Sequence, residues 1–228
     1  MYFPFSFFNN ERVDLTRDLI SFWTFNNCGD VGNDDFNGFD LTINGSIDCP
    51  AGKIGNCIEN SSDPGAFVDV ADSAGIFNLT SDKTFAHWVK SPSASVGCYT
   101  FGKYYNSPSA NYLASINVST AVLLVETSAG GFDVTSDKVP ILDNIWYFIC
   151  YKHYSRLKKI SVQVNDTLPV YANYNGTVFD YNQNFNALEV VSQGTFMDSL
   201  GVWNRILNDN EIAALYNSGN GLEYPFTT

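Results

Sequence analysis

The chain has 228 residues, 45% hydrophobic and 15% aromatic, which suits one large all-β domain with a sizeable core. Its 24 acidic residues outnumber 12 scattered lysines and arginines, giving a net charge of −12 and no basic stripe, which excludes a nucleic-acid partner. No run of 18 apolar residues occurs, so no membrane-spanning helix is predicted.

The chain opens MYFPFSFF, where Tyr2, Phe3, Phe5, Phe7 and Phe8 crowd eight positions. The stretch lacks a basic segment and Pro4 interrupts it, so it does not read as a secretory signal. A loose arm this apolar is an aggregation liability. Residues 1–16 are therefore expected to dock in a groove, on the same domain or on a partner, with the partner favoured. Residues 17–228 are expected to form one sandwich. A homo-oligomer is among the arrangements this arm allows.

Strand patterns follow at residues 19–25, 66–70, 83–90, 97–105, 111–119, 121–127, 145–154, 159–165, 187–191 and 199–206. All are rich in aromatic and β-branched residues and are separated by Asn, Asp, Gly, Ser and Pro clusters. In KISVQVN, Ile160, Val162 and Val164 face one way, and Ser161 and Gln163 face water. AVLLVET is apolar on both faces and predicts a covered central strand. One helix is predicted over residues 208–217, capped by Asn208 or Asp209, with Glu211 at its positive end. Ile212, Leu215 and Tyr216 give it one apolar stripe, and Gly219 its stop. Such a helix is expected to plug an open end or edge of the sandwich.

Of five cysteines, Cys98 and Cys150 lie in apolar strands and read as buried thiols. Cys49 is free to pair with Cys57 or Cys28 in an exported protein, and no CxxC points to zinc. Sequons at Asn44, Asn60, Asn78, Asn117, Asn165 and Asn175 are close to the number chance supplies in a chain this rich in asparagine.

Several of these stretches resemble, in order, laminin-G-like domains of the concanavalin A-like lectin and glucanase superfamily, of bacterial and phage type. LISFWTF, DDFNGFDLT, GKIGNC with Cys57 in a small core position, and KTFAHWVKSP are similar to that family's motifs. So is the terminal block FMDSLGVWNRILNDNEIAALYNSGNGLEYPF. The resemblance covers about residues 17–227 and implies an antiparallel β-sandwich, a jelly roll with one short C-terminal helix. It also implies a binding or structural module, often for glycans and often holding one calcium ion. On that pattern Asp35 and Asp198 are the expected calcium ligands, with Asp34 and Asn37 nearby. The same Asp- and Asn-rich loop also suits a turn held for conformational reasons.

The family's glucanases need two glutamates on one strand at a fixed short separation. Here Glu11, Glu59, Glu126, Glu189, Glu211 and Glu223 offer no such pair. His87 reads as a packed strand histidine and His153 as an exposed one at a strand end. The chain is therefore expected not to be an enzyme. Glycan contact needs aromatic faces and amide hydrogen bonds. Tyr104, Tyr105 and Asn106, with Asn111, supply them on one hairpin. Tyr174 and Tyr181, with Tyr171 and Asn184, supply them on a later loop. These tyrosines serve equally to cover the sandwich edge or face another subunit. The arm and the binding fold together predict an attachment protein on a virion surface, a capsid decoration or tail appendage. A secreted or cell-surface carbohydrate-binding module is the alternative, and a glycan hydrolase or lyase with an unfamiliar site is a further one.

Overall fold

The computed structural model describes residues 13–227 apart from 61–62, 64, 73, 95–96, 106–108, 118, 130–131, 137–138, 180–183 and 188–193. The described strands form two seven-stranded sheets, and every pairing is antiparallel. The first runs β1 (Leu19–Trp23), β14 (Phe196–Trp203), β5 (Lys83–Lys90), β10 (Tyr147–Tyr154), β11 (Lys159–Val164), β12 (Val170–Asn173), and β3 (Ile58–Glu59) also pairs with β14. The second runs β2 (Thr42–Asn44), β4 (Phe67–Val70), β13 (Phe185–Ala187), β6 (Cys98–Tyr105), β7 (Ser109–Asn117), β8 (Thr120–Glu126), β9 (Phe132–Ser136). The expected antiparallel sandwich is what forms. AVLLVET becomes β8, second from one edge.

Alternation along the strands explains two cores. Phe85 and Val89 on β5, and Ile149 and Tyr151 on β10, point between the sheets. Ala86 and Trp88, with Phe148 and Cys150, point the other way and meet Leu19, Phe22 and Trp203. Both faces of the first sheet are thus buried at β1, β14, β5 and β10, which is why these strands read as nearly continuous apolar runs.

Helix α1 (Asp209–Tyr216) covers that outer face. It is not a plug over an end or edge. Trp88 and Phe148 are too large and apolar to leave wet, and Ile212 and Leu215 pack on their layer. Tyr216 stacks on Trp88 at 5.9 Å. Asn208 caps the helix, accepting the Glu211 N–H at 2.9 Å, while Glu211 Oε2 accepts the Asn208 N–H at 2.9 Å. The helix ends one turn before Gly219, because Asn217 already takes the left-handed conformation at φ 48°.

Asp14 and Leu15 belong to this layer. Leu15 is buried, and its carbonyl accepts the Trp203 Nε1–H at 2.7 Å. Tyr2, Phe3, Phe5, Phe7 and Phe8 lie outside the described residues. Cys28 and Cys49 are disulfide-bonded, and Cys57, Cys98 and Cys150 are buried thiols outside any disulfide. Two sequon asparagines, Asn60 and Asn78, are buried and cannot carry a glycan.

Candidate functional site

The expected calcium ligands organise loops. Asp34 is buried. Its Oδ1 accepts the N–H of Phe22 and Phe36, and its Oδ2 accepts the N–H of Asn37 and Phe39 and the Ser21 hydroxyl, all at 2.9–3.1 Å. Asp35 Oδ2 accepts the Thr24 N–H at 2.9 Å. The Asn37 amide donates to the Ile20 carbonyl at 2.8 Å.

Asp198 is placed by a β-bulge in β14, where Ser199 has φ 52°. Its Oδ2 accepts the N–H groups of Lys53 at 2.7 Å and Ile54 at 2.8 Å, and the Ser199 hydroxyl donates to Oδ1 at 3.0 Å. Gly52 is required beside it, since a Cβ there would stand 2.5 Å from Asp198 Oδ2. Burial pushes the Asp198 carboxyl up to about 7, against these hydrogen bonds, with Glu223 adding repulsion. A calcium cage needs six to eight free oxygen lone pairs converging on one point. These oxygens already accept N–H and O–H donors, and among the described residues no group of three or more His, Cys, Asp or Glu side chains is placed to hold a metal ion. As placed, these carboxylates serve backbone N–H groups and are not gathered on one point.

The expected glycan contacts are scattered. Tyr104 and Tyr105 end β6, and their side chains, like all of Asn106 and Tyr181, lie outside what is described. Tyr174 needs correcting. It is buried, stacks on His153 at 5.7 Å, and its hydroxyl lies 2.7 Å from Nε2. The Ser81 carbonyl lies 3.0 Å from Nδ1, which assigns that nitrogen the proton and makes Tyr174 the donor to Nε2. Tyr174 has no free face to offer a sugar. His153, expected to be exposed, is buried and held below its ordinary range by that burial. Asn111 is buried as well. His87 is packed, as its strand position predicts.

A cleft does form on the outer face of the first sheet, where α1 ends its cover. Strand register puts Lys152, Ser161 and Tyr171 in one row across β10, β11 and β12, and Tyr154, Lys159 and Asn173 in the next. The start of α1, residues Asn208, Asp209 and Asn210, walls the other side, enclosing about 400 Å³. Tyr171 is 47% exposed. Its ring centroid lies 6.2 Å from that of Tyr154, and Lys159 Nζ lies 3.6 Å from the Tyr171 centroid. Burial, with Tyr171 alongside, pushes the Tyr154 phenol up, so it stays a neutral donor and acceptor. Sequence reading singled out Tyr171 but missed Lys152, Tyr154 and Lys159, which come together only through strand register. Beyond Asp209 a second groove, about 230 Å³, lies between Leu168–Pro169 and the Ile212, Ala213 and Tyr216 side of the helix.

This sandwich fold recurs in solved structures. The binding domain of Paraclostridial Mosquitocidal Protein 1 superposes with a TM-score of 0.76 at 18% identity, over 90% of this chain and 53% of that one. The binding domain of botulinum neurotoxin DC, solved with rat synaptotagmin II, gives 0.71 at 13% identity, over 90% and 52%. A botulinum neurotoxin type C structure, whose cell entry depends on two ganglioside molecules, gives 0.69 at 12% identity, over 89% and 51%. The chain spans about half the length of each. No family model and no curated protein matches the sequence.

Proposed function

We propose that the chain is a non-enzymatic attachment module with a laminin-G-like sandwich, which recognises glycans at the Tyr154–Tyr171 cleft. The observation that carries this reading is the exposed Tyr171 ring beside Tyr154 and Lys159, an aromatic surface with polar groups around it, the arrangement sugar rings stack on. The solved neighbours support it, since their names describe toxin binding domains, one in complex with rat synaptotagmin II, and a toxin whose cell entry depends on gangliosides.

In this reading the module sits on a virion surface, with the aromatic residues Tyr2 to Phe8 as its anchor to other virion proteins. The Cys28–Cys49 disulfide favours an oxidising setting, which virion and cell surfaces both provide.

A glycan array probed with the wild type and with Tyr171→Ala tests the binding role. Retention of defined glycans by the wild type, lost in the variant, is the expected result. No retained glycan, or retention indifferent to Tyr171→Ala, overturns the reading. Deleting residues 1–12 is expected to leave glycan binding intact and to abolish assembly onto particles.

A further inference from the structure

We infer that the ligand of the Tyr154–Tyr171 cleft is a carboxylated saccharide, a sugar ring bearing a carboxylate. The inference rests on the reading of this cleft as a glycan site and names the chemistry of what fills it.

Lys152 is the first observation. Its side chain is only 4% exposed, yet its ammonium donates no hydrogen bond among the described residues. The nearest carboxylate oxygen, Asp209 Oδ1, is 4.0 Å away, too far for a hydrogen bond. Asp209 itself is 97% exposed and free to swing out. A nearly buried ammonium with unspent donors lining a cleft is a poised anion partner.

Charge is the second. The chain carries −12, yet the cleft lining holds Lys152 against Asp209 as its one acid, with the Lys159 ammonium close by over the Tyr171 ring. The positive end of α1 opens on the same space, and its capping box satisfies the Glu211 N–H. The third is shape. The half-exposed Tyr171 ring carries the Lys159 ammonium over one face and still offers apolar area, which a bare inorganic anion does not need and a sugar ring uses.

The test compares acidic and neutral versions of the same sugars by calorimetry. Sialyllactose is set against lactose, and a glucuronate-terminated disaccharide against its glucose counterpart. These arms separate a sialic-acid-type from a uronic-acid-type source. At least one acidic sugar is expected to bind ten-fold or more tightly than its neutral partner, with the preference shrinking as salt rises. Lys152→Gln is expected to abolish the preference and Lys152→Arg to keep it. Asp209→Asn, at an exposed position, is expected to strengthen acidic-sugar binding only, and serves if Lys152→Gln does not fold. Equal affinity for acidic and neutral sugars, both lost in Tyr171→Ala, overturns this inference and leaves the glycan reading standing. Inorganic phosphate competing as well as the acidic sugar overturns it too. Absence of any sugar binding overturns both.

Discussion

Arg205 and Glu211 meet through two hydrogen bonds, Nη1 to Oε2 at 2.7 Å and Nη2 to Oε1 at 2.8 Å. The same guanidinium donates to the carbonyls of Asp14 at 2.7 Å and Arg17 at 2.8 Å, so one ion pair ties the chain's entry to the start of α1. Burial opposes charge on Glu211, but Arg205 and the N–H groups of Asn208 and Asp14 win and hold its carboxyl below the ordinary range. Glu211→Ala leaves Arg205 without its charge partner and is expected to cost ~3–5 kcal/mol, read by urea unfolding. Because the folded carboxyl is the stronger acid, the pair's contribution is present at neutral pH. It fades as pH falls below the ordinary glutamate range and through the folded value. A loss below 1 kcal/mol would show that the pair is dispensable.

The two ends of the expected arm are separable. Removing residues 1–12 is expected to leave the thermal midpoint nearly unchanged. Removing 1–16 takes away Leu15 and the Trp203-to-Leu15 hydrogen bond. With the Asp14 contacts to Arg205 and Glu211 lost as well, that larger deletion is expected to cost at least on the order of 2–4 kcal/mol, from one buried leucine and three hydrogen bonds. Equal midpoints for the two truncations would contradict this.

His87 and Asp198 give opposite pH slopes. His87 is fully buried, neither ring nitrogen has a partner, and burial pushes it down to about 3. The unfolded chain binds a proton near 6.5 and the folded one does not, so stability from this site is lost as pH falls below 6.5. At pH 5 the loss is roughly 2 kcal/mol, and His87→Phe is expected to recover part of it. Asp198 titrates the other way. Its folded value of about 7 exceeds the unfolded value of 3.8, so its site loses stability as pH rises from 4 to 7. Asp198→Asn is expected to flatten that slope, measured as unfolding free energy at pH 5 and pH 7. An unchanged slope in either variant would refute its assignment.

Calcium is expected to move the thermal midpoint no more than magnesium does, because Asp34, Asp35 and Asp198 spend their oxygens on N–H and O–H donors. A rise of several degrees, specific to calcium and reversed by a chelator, would mean these side chains rearrange into a cage.

Local pattern carried much of the fold. The strand runs, the Asn208 cap and the stripe of Ile212 and Leu215 follow from the sequence, because each depends on residues a few positions apart. The clasp of Asp198 on Lys53 and Ile54 joins two motifs that were legible only separately. Other side chains depend on partners far along the chain. Tyr174 reads as a loop tyrosine until His153 is seen to hold it inside. Lys103 reads as a strand lysine, yet it is fully buried against Asp72 at 2.7 Å. The cleft was the least legible, since Lys152, Lys159 and Tyr171 come from three strands whose register no local pattern encodes.

The anchoring of Asp14 by Arg205 has a mechanical side. Tension applied to the chain from its N-terminal direction enters the sandwich at Asp14 and passes through Arg205 and Glu211 into the first turn of α1. That turn also walls the cleft through Asn208 and Asp209. The segment at Asp14 and the wall of the cleft thus share one joint.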